Sequence, residues 1–232
     1  MFTLTVRAFN LAEEYRTPVI LLSDETVAHM REQITVPSLE SIKIFNRNKP
    51  RGRDISFFGV EEVPPMPTIG EGFNVTVTGS THDEYGIRST ADPGIHRELV
   101  RRLNDKIINH DEEISDIEAY NIKDCEIALV SYGCTSRAIY ETVEKAEDMG
   151  VKIGFIRLKT IWPFPDRIIR NLAEKAAKIF VPELNLGQIV KEVERAVDGA
   201  AEVIPLNKIG GGELITPEEM LINILGEEGR ND

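Results

Sequence analysis

Four short runs gather chemistry-bearing side chains just after apolar segments. They are Ser131-Tyr132-Gly133-Cys134-Thr135-Ser136-Arg137, Lys159-Thr160-Ile161-Trp162-Pro163-Phe164-Pro165, Pro182-Glu183-Leu184-Asn185-Leu186-Gly187-Gln188 and Asn207-Lys208-Ile209-Gly210-Gly211-Gly212. In the first, small and hydroxyl residues stand where a helix would begin, so free N–H groups and the helix dipole could hold an anion. The bland alternative is that Thr135 or Ser136 is only an N-cap. No G-x-G-x-x-G fingerprint and no P-loop accompanies the turn. Cys134 at the same helix start could carry a lowered pKa, but none of the four His residues is near it in sequence. It therefore reads as a small buried hydrophobe. Glu183 could act as an acid or base, yet a single unpaired Glu is more often a cap or salt-bridge residue. Trp162 beside two prolines suits a protein interface, or else folds back onto its own core. Thr81-His82-Asp83-Glu84-Tyr85-Gly86 offers one His and divergent carboxylates, a thin metal site and more readily a structural or interface loop.

The elements that must position these runs follow from periodicity. Between Glu126 and Lys208 the pattern alternates strand and helix, with strands at Ile127 to Tyr132, Val151 to Leu158, Ile179 to Val181 and Glu202 to Leu206. Ile139, Val143, Ala146 and Met149 would give the first helix its buried face. Ile168, Ile169, Leu172, Ala173 and Ala176 would serve the second, and Ile189, Val193, Ala196 and Val197 the third. Such alternation implies crossover connections and a parallel sheet. Ligands and partner surfaces collect beyond the carboxyl ends of such strands, where the polar runs lie.

The N-terminal part is less regular. Leu4, Ala8, Leu11, Ala12 and Tyr15 form a helical stripe. Pro18 to Leu22 reads as a strand buried on both faces, followed by an N-cap at Ser23-Asp24 and a helix from Glu25 to Glu32. That lone strand has no partner nearby, so either it joins the later sheet or it belongs to a domain whose other strands are absent, and the second reading is preferred. Ile34 to Ser80 is rich in Pro and Gly, with a strand expected at Phe73 to Thr78 inside a long connector. Asp92-Pro93 opens a helix striped by Ile95, Leu99, Leu103, Ile107 and Ile108 and expected to run to near Glu113. Thr216-Pro217-Glu218-Glu219 opens a last short helix, and the chain is expected to fray from Gly226 onward.

Composition narrows the function. The 232 residues are 41% hydrophobic and 28% charged, ordinary for a soluble globular protein. A net charge of −12 argues against a nucleic-acid surface. No apolar run approaches the ~20 residues of a membrane span. Cys125 and Cys134 flank one strand, so an extended segment would hold them about 30 Å apart, far beyond disulfide reach. A reducing, cytoplasmic setting follows.

Taken together, several runs resemble the α subunit of 2-oxoacid:ferredoxin oxidoreductases, above all the 2-oxoglutarate type. They are Thr17 to Glu25 with His29-Met30-Arg31, Val77 to Glu84, Arg157 to Pro165, Val181 to Gln188 and Gly211 to Pro217, in the family's order. The resemblance implies that residues 122–232 form a transketolase C-terminal-like α/β domain with a tail. Residues 1–33 would be the C-terminal remnant of a thiamine-diphosphate pyrimidine-binding domain, and 34–121 a connector with short strands and one long helix. The implied fold class is α/β, a Rossmann-like open parallel sheet preceded by that connector and remnant. The front of the cofactor domain, a Gly-Asp-Gly thiamine diphosphate motif and a cluster-binding cysteine set are missing.

The resemblance therefore implies a C-terminal region of an α subunit, or a naturally split subunit, that is inactive alone and binds no cofactor by itself. Thiamine diphosphate, magnesium and an iron–sulfur cluster would be held in the assembled complex. Its partners would be a β subunit, γ and δ subunits where the complex has them, and ferredoxin through the complex, in a hetero- or homo-oligomer. No catalytic residue and no metal ligand is assigned. Gly133, Thr135, Ser136, Arg137, Trp162, Asn185 and Gln188 are the candidates for a substrate or coenzyme A channel or an interface. The alternative is a non-catalytic oligomerisation or binding module with the same fold.

Overall fold

The computed structural model describes residues 1–52, 55–59 and 61–226. In chain order the elements are α1 (Phe2–Glu14), α2 (Glu25–His29), α3 (Pro93–Ile108), α4 (Asp111–Ile114), β1 (Ile117–Tyr120), β2 (Ile127–Tyr132), α5 (Thr135–Asp148), β3 (Ile153–Leu158), α6 (Asp166–Ala173), β4 (Lys178–Glu183), α7 (Ile189–Val197), β5 (Glu202–Asn207) and α8 (Pro217–Leu225). Two units divide them. One comprises Met1–Leu22 and Arg31–His110, the other Ser23–Met30 and Asp111–Asp232.

In the second unit the sheet order is β1-β3-β2-β4-β5. β2, β3, β4 and β5 run parallel, whereas β1 pairs antiparallel with β3, Ile117 opposite Leu158. The four expected strands form the expected parallel sheet, and β1, which was not expected, adds an antiparallel edge. Alternation within the strands builds two cores. Ala128, Val130, Ile179 and Val181 meet Ile169, Leu172, Val193 and Ala196 of α6 and α7. Leu129, Phe155 and Phe180 meet Ile139, Val143 and Ala146 of α5 and Met220 of α8 on the other face. Met149, expected in the α5 face, lies beyond the helix end and is exposed. α8 opens with a capping box between Thr216 and Glu219 and a proline in its first turn.

In the first unit α1 forms as its stripe requires, but Pro18 to Leu22 is not a strand. Ile20 is 81% and Leu22 71% exposed. An apolar run becomes a strand only when a neighbour satisfies its backbone, and among the described residues none does. Phe73 to Thr78 likewise forms no ladder; the only bridge outside the sheet among the described residues joins His82 to Arg88. α3 begins at the expected cap, with Asp92 accepting from Gly94 and Ile95 N–H, but ends at Ile108, and α4 is separate. Leu103 and Ile108 of its stripe stay exposed. The frayed end expected beyond Gly226 lies outside the described residues.

Candidate functional site

β3 and β4 flank β2, and the chain passes from one side of β2 to the other between them. The carboxyl ends of β2 and β4 thus frame the crevice where open α/β sheets usually take ligands. The ladder between these strands stops at Leu129–Phe180, although both strands continue. Pro182 lacks an N–H to extend it. Instead the buried Ser131 hydroxyl donates to the Pro182 carbonyl at 3.1 Å.

The space so opened is filled from within. Glu183 is only 1% exposed. Its carboxylate accepts from the N–H groups of Gln188, Ile189 and Val190 at 2.9–3.3 Å, capping α7 from the end of the preceding strand. It also accepts from the Tyr132 hydroxyl and from Asn185 Nδ2, each at 3.1 Å. Burial alone would raise the Glu183 pKa. The Ile189 and Val190 N–H bonds, with Asn185 and Gln188, outweigh it, and the carboxyl lies below its ordinary value. Burial and then the Glu183 charge push Tyr132 up to about 12. At neutral pH the pair is a fixed phenol donor and a fixed carboxylate, the cap reading of Glu183. Tyr132 is the partner that sequence reasoning missed; a Tyr ending one strand beside a Glu ending its neighbour was the available signal.

The turn after β2 is occupied too. Cys134 is the N-cap of α5 and offers no side-chain cap, so neither Thr135 nor Ser136 has that role. Asp24, which caps α2 through Val27 N–H at 2.7 Å, also accepts from Cys134 N–H at 2.9 Å. An internal carboxylate thus holds the place where an anion would bind. Gly133 has φ +60, and a Cβ there would come within 2.9 Å of Asp24 Oδ2. Its glycine is required by backbone and space together. Ser136 is buried and donates to the Gly133 carbonyl, and Thr135 is buried beside it. Arg137 is exposed and lines a cavity of about 210 Å³ with Thr26, Met30, Cys134, Leu214 and Ile215.

Burial first, and Asp24 next, push the Cys134 thiol up, in line with its inert reading. Substituting D24N should therefore quicken alkylation of Cys134 at pH 8 by roughly three- to tenfold, while buried Cys125 stays slow. An unchanged rate would remove Asp24 from control of the thiol.

The remaining candidates fall on neighbouring loops of the same edge. Trp162 is 65% exposed, whereas Phe164 two residues on is buried. Asn185 uses both ends of its amide within its own turn: Nδ2 donates to Tyr132 and Glu183, and Oδ1 accepts from Gly187 N–H. The Gln188 side chain is exposed. The seven candidates thus share one edge but do not converge on one cavity. The Thr81 to Gly86 loop is a tight turn in the other unit, where Asp83 accepts from Tyr85 and Ile87 N–H.

This geometry defines a mostly parallel α/β subunit domain whose ligand crevice is closed by its own side chains and whose strand edge presents loops outward. Residues 125–220 match the family model "Pyruvate:ferredoxin oxidoreductase core domain II", and residues 1–102 match "Pyruvate flavodoxin/ferredoxin oxidoreductase, thiamine diP-bdg". The chain is 47% identical over 227 residues to the 2-oxoglutarate synthase subunit KorA of Methanothermobacter marburgensis, covering 97% of this chain and 60% of that one. It is 44% identical over 228 residues to the subunit of the same name from Methanocaldococcus jannaschii, with the same coverage. Its fold matches the 2-oxoglutarate:ferredoxin oxidoreductase of Magnetococcus marinus at a TM-score of 0.85 and 24% identity, over 96% of this chain and 39% of that chain. Over nearly its whole length the chain is thus similar to subunits of 2-oxoacid:ferredoxin oxidoreductases. It spans about 60% of the length of the curated relatives it matches.

Proposed function

We propose that the chain is the C-terminal region of an α subunit of a 2-oxoglutarate:ferredoxin oxidoreductase, and contributes to coenzyme A-dependent oxidative decarboxylation only within a complex. The observation that carries this reading is the 44–47% identity to 2-oxoglutarate synthase subunits across 97% of the chain. Among the described residues no group of three or more His, Cys, Asp or Glu side chains is arranged to hold a metal ion. The reading assigns magnesium and an iron–sulfur cluster to a companion β subunit, with γ and δ subunits as further members and ferredoxin as acceptor. The diphosphate of thiamine diphosphate does not fit the α5 N-terminus, because Asp24 is already bonded there.

What this chain contributes is a rigid contact edge. The Tyr132–Glu183–Asn185 network fixes the turns after β2 and β4, and Trp162, Arg137 and Gln188 face outward beside them. The exposed apolar run Val19 to Leu22 suits a strand whose neighbours come from the rest of a cofactor domain. No described helix is long and apolar enough to cross a membrane, and the reading places the complex in the cytoplasm. The test is co-expression with the thiamine diphosphate-binding companion. Release of carbon dioxide from 2-oxoglutarate, dependent on coenzyme A and on this chain, is the expected result. A companion that is equally active without this chain would sink the proposal.

A further inference from the structure

The first unit buries positive charge that makes no ion pair among the described residues. Lys106 on α3 is only 6% exposed, and its ammonium makes one hydrogen bond among the described residues, donating to the Arg16 carbonyl at 2.9 Å. Arg16, just past the end of α1, has φ +47, which is costly for a residue with a Cβ. Its guanidinium donates to the carbonyls of Phe57 and Pro64, both at 2.7 Å, and lies over the Phe58 ring. These are neutral acceptors. Arg102 stands one turn before Lys106 on the same face of α3, half-buried, with no hydrogen bond or ion pair among the described residues. The acid that acts on it is Glu98, a turn further back on the same face and itself exposed.

Three cations gathered this way repel one another. Burial first, then Arg16 and Arg102, lower Lys106 to about 8, and burial with Arg102 and Arg47 lowers Arg16 to about 10. Both remain charged at neutral pH, so the cost of holding them together persists. The bond from Lys106 to Arg16 accounts for one N–H of the ammonium. Among the described residues it leaves two more, and the whole Arg102 fork, without an acceptor.

We propose that Arg16, Arg102 and Lys106 form a binding site for a phosphate-class anion, either free or carried on a phosphate ester. A dianion with three acceptor oxygens matches two guanidinium groups and an ammonium better than a carboxylate, which would leave most of the charge unopposed. Half-exposed Arg102 is the side from which it enters. The site lies in the other unit from the strand-edge loops, and Arg16 and Arg102 fall within residues 1–102, the stretch matched by the thiamine diphosphate-binding family model.

The test uses the full chain at constant ionic strength, with the Lys106 side chain followed by NMR during titration with inorganic phosphate, pyrophosphate, ADP, adenosine and succinate. Saturable binding of phosphate or pyrophosphate, with the Lys106 titration midpoint moved upward, is the expected result. ADP binding more tightly than phosphate identifies an ester, and equal affinity identifies the free anion. R102Q removes no hydrogen bond of the fold and should weaken binding about tenfold or more. A Lys106 signal indifferent to phosphate, equal affinity in R102Q, or succinate binding as well as phosphate would overturn the site.

Discussion

Replacing Glu183 with alanine lowers the stability of the sheet unit by about 3–5 kcal/mol, the cost of leaving buried partners of a charge unpaired. The three N–H groups at the start of α7, the Tyr132 hydroxyl and the Asn185 amide all lose their acceptor at once. For a unit of this size the melting temperature should fall by roughly 10 °C or more. The pH dependence follows from the sign of the shift. The folded Glu183 carboxyl lies below its unfolded value of 4.5, so its contribution is complete above about pH 4.5 and is lost as pH falls through the folded pKa. Urea melts of wild type and E183Q from pH 3 to 7 should give a constant gap at the neutral end that closes on acidification. A gap independent of pH would show that the charge is not what caps α7.

Trp162→Ala should have the opposite profile. The indole is exposed, so its removal should leave the stability of the free chain within about 0.5 kcal/mol. If the strand-edge loops dock against a companion, as proposed, the same change removes an aromatic anchor worth about 2 kcal/mol, roughly thirtyfold in affinity. Titrating the companion subunit into wild-type and W162A chains separates the two effects. Unchanged affinity would move the interface elsewhere, and a melting temperature lowered in the free chain would mean the indole packs internally.

The sequence pattern foretold the sheet unit because its elements carry their signals locally. β2 spans the expected residues, and β3 and β5 differ from expectation by one or two at an end. β1 was missed for a physical reason: Ile-Glu-Ala-Tyr is too short to show a period, and it becomes a strand only by pairing with β3 some forty residues later. Pro18 to Leu22 failed the other way. Its composition records a buried environment that the neighbouring residues do not provide, so the run was legible and its partner was not. At the site, the polar strand ends were readable but their wiring was not. Asp24 and Cys134 lie 110 residues apart in sequence, and no spacing rule links a helix cap to a second helix that far downstream. Lys106 stood beside Ile107 without any sign in the stripe that its ammonium would be turned inward to the Arg16 carbonyl.

The strand order has one more bearing. The sheet ends on one side in β1, four residues long and running against its neighbour, and on the other in β5, which carries Pro205 and so lacks one backbone donor. Short and proline-bearing margins are poor templates for another chain to lengthen. Growth sideways into fibrils or swapped sheets is thereby discouraged. In the proposed complex the chain is left to meet its neighbours loop to loop, across the ends of its strands.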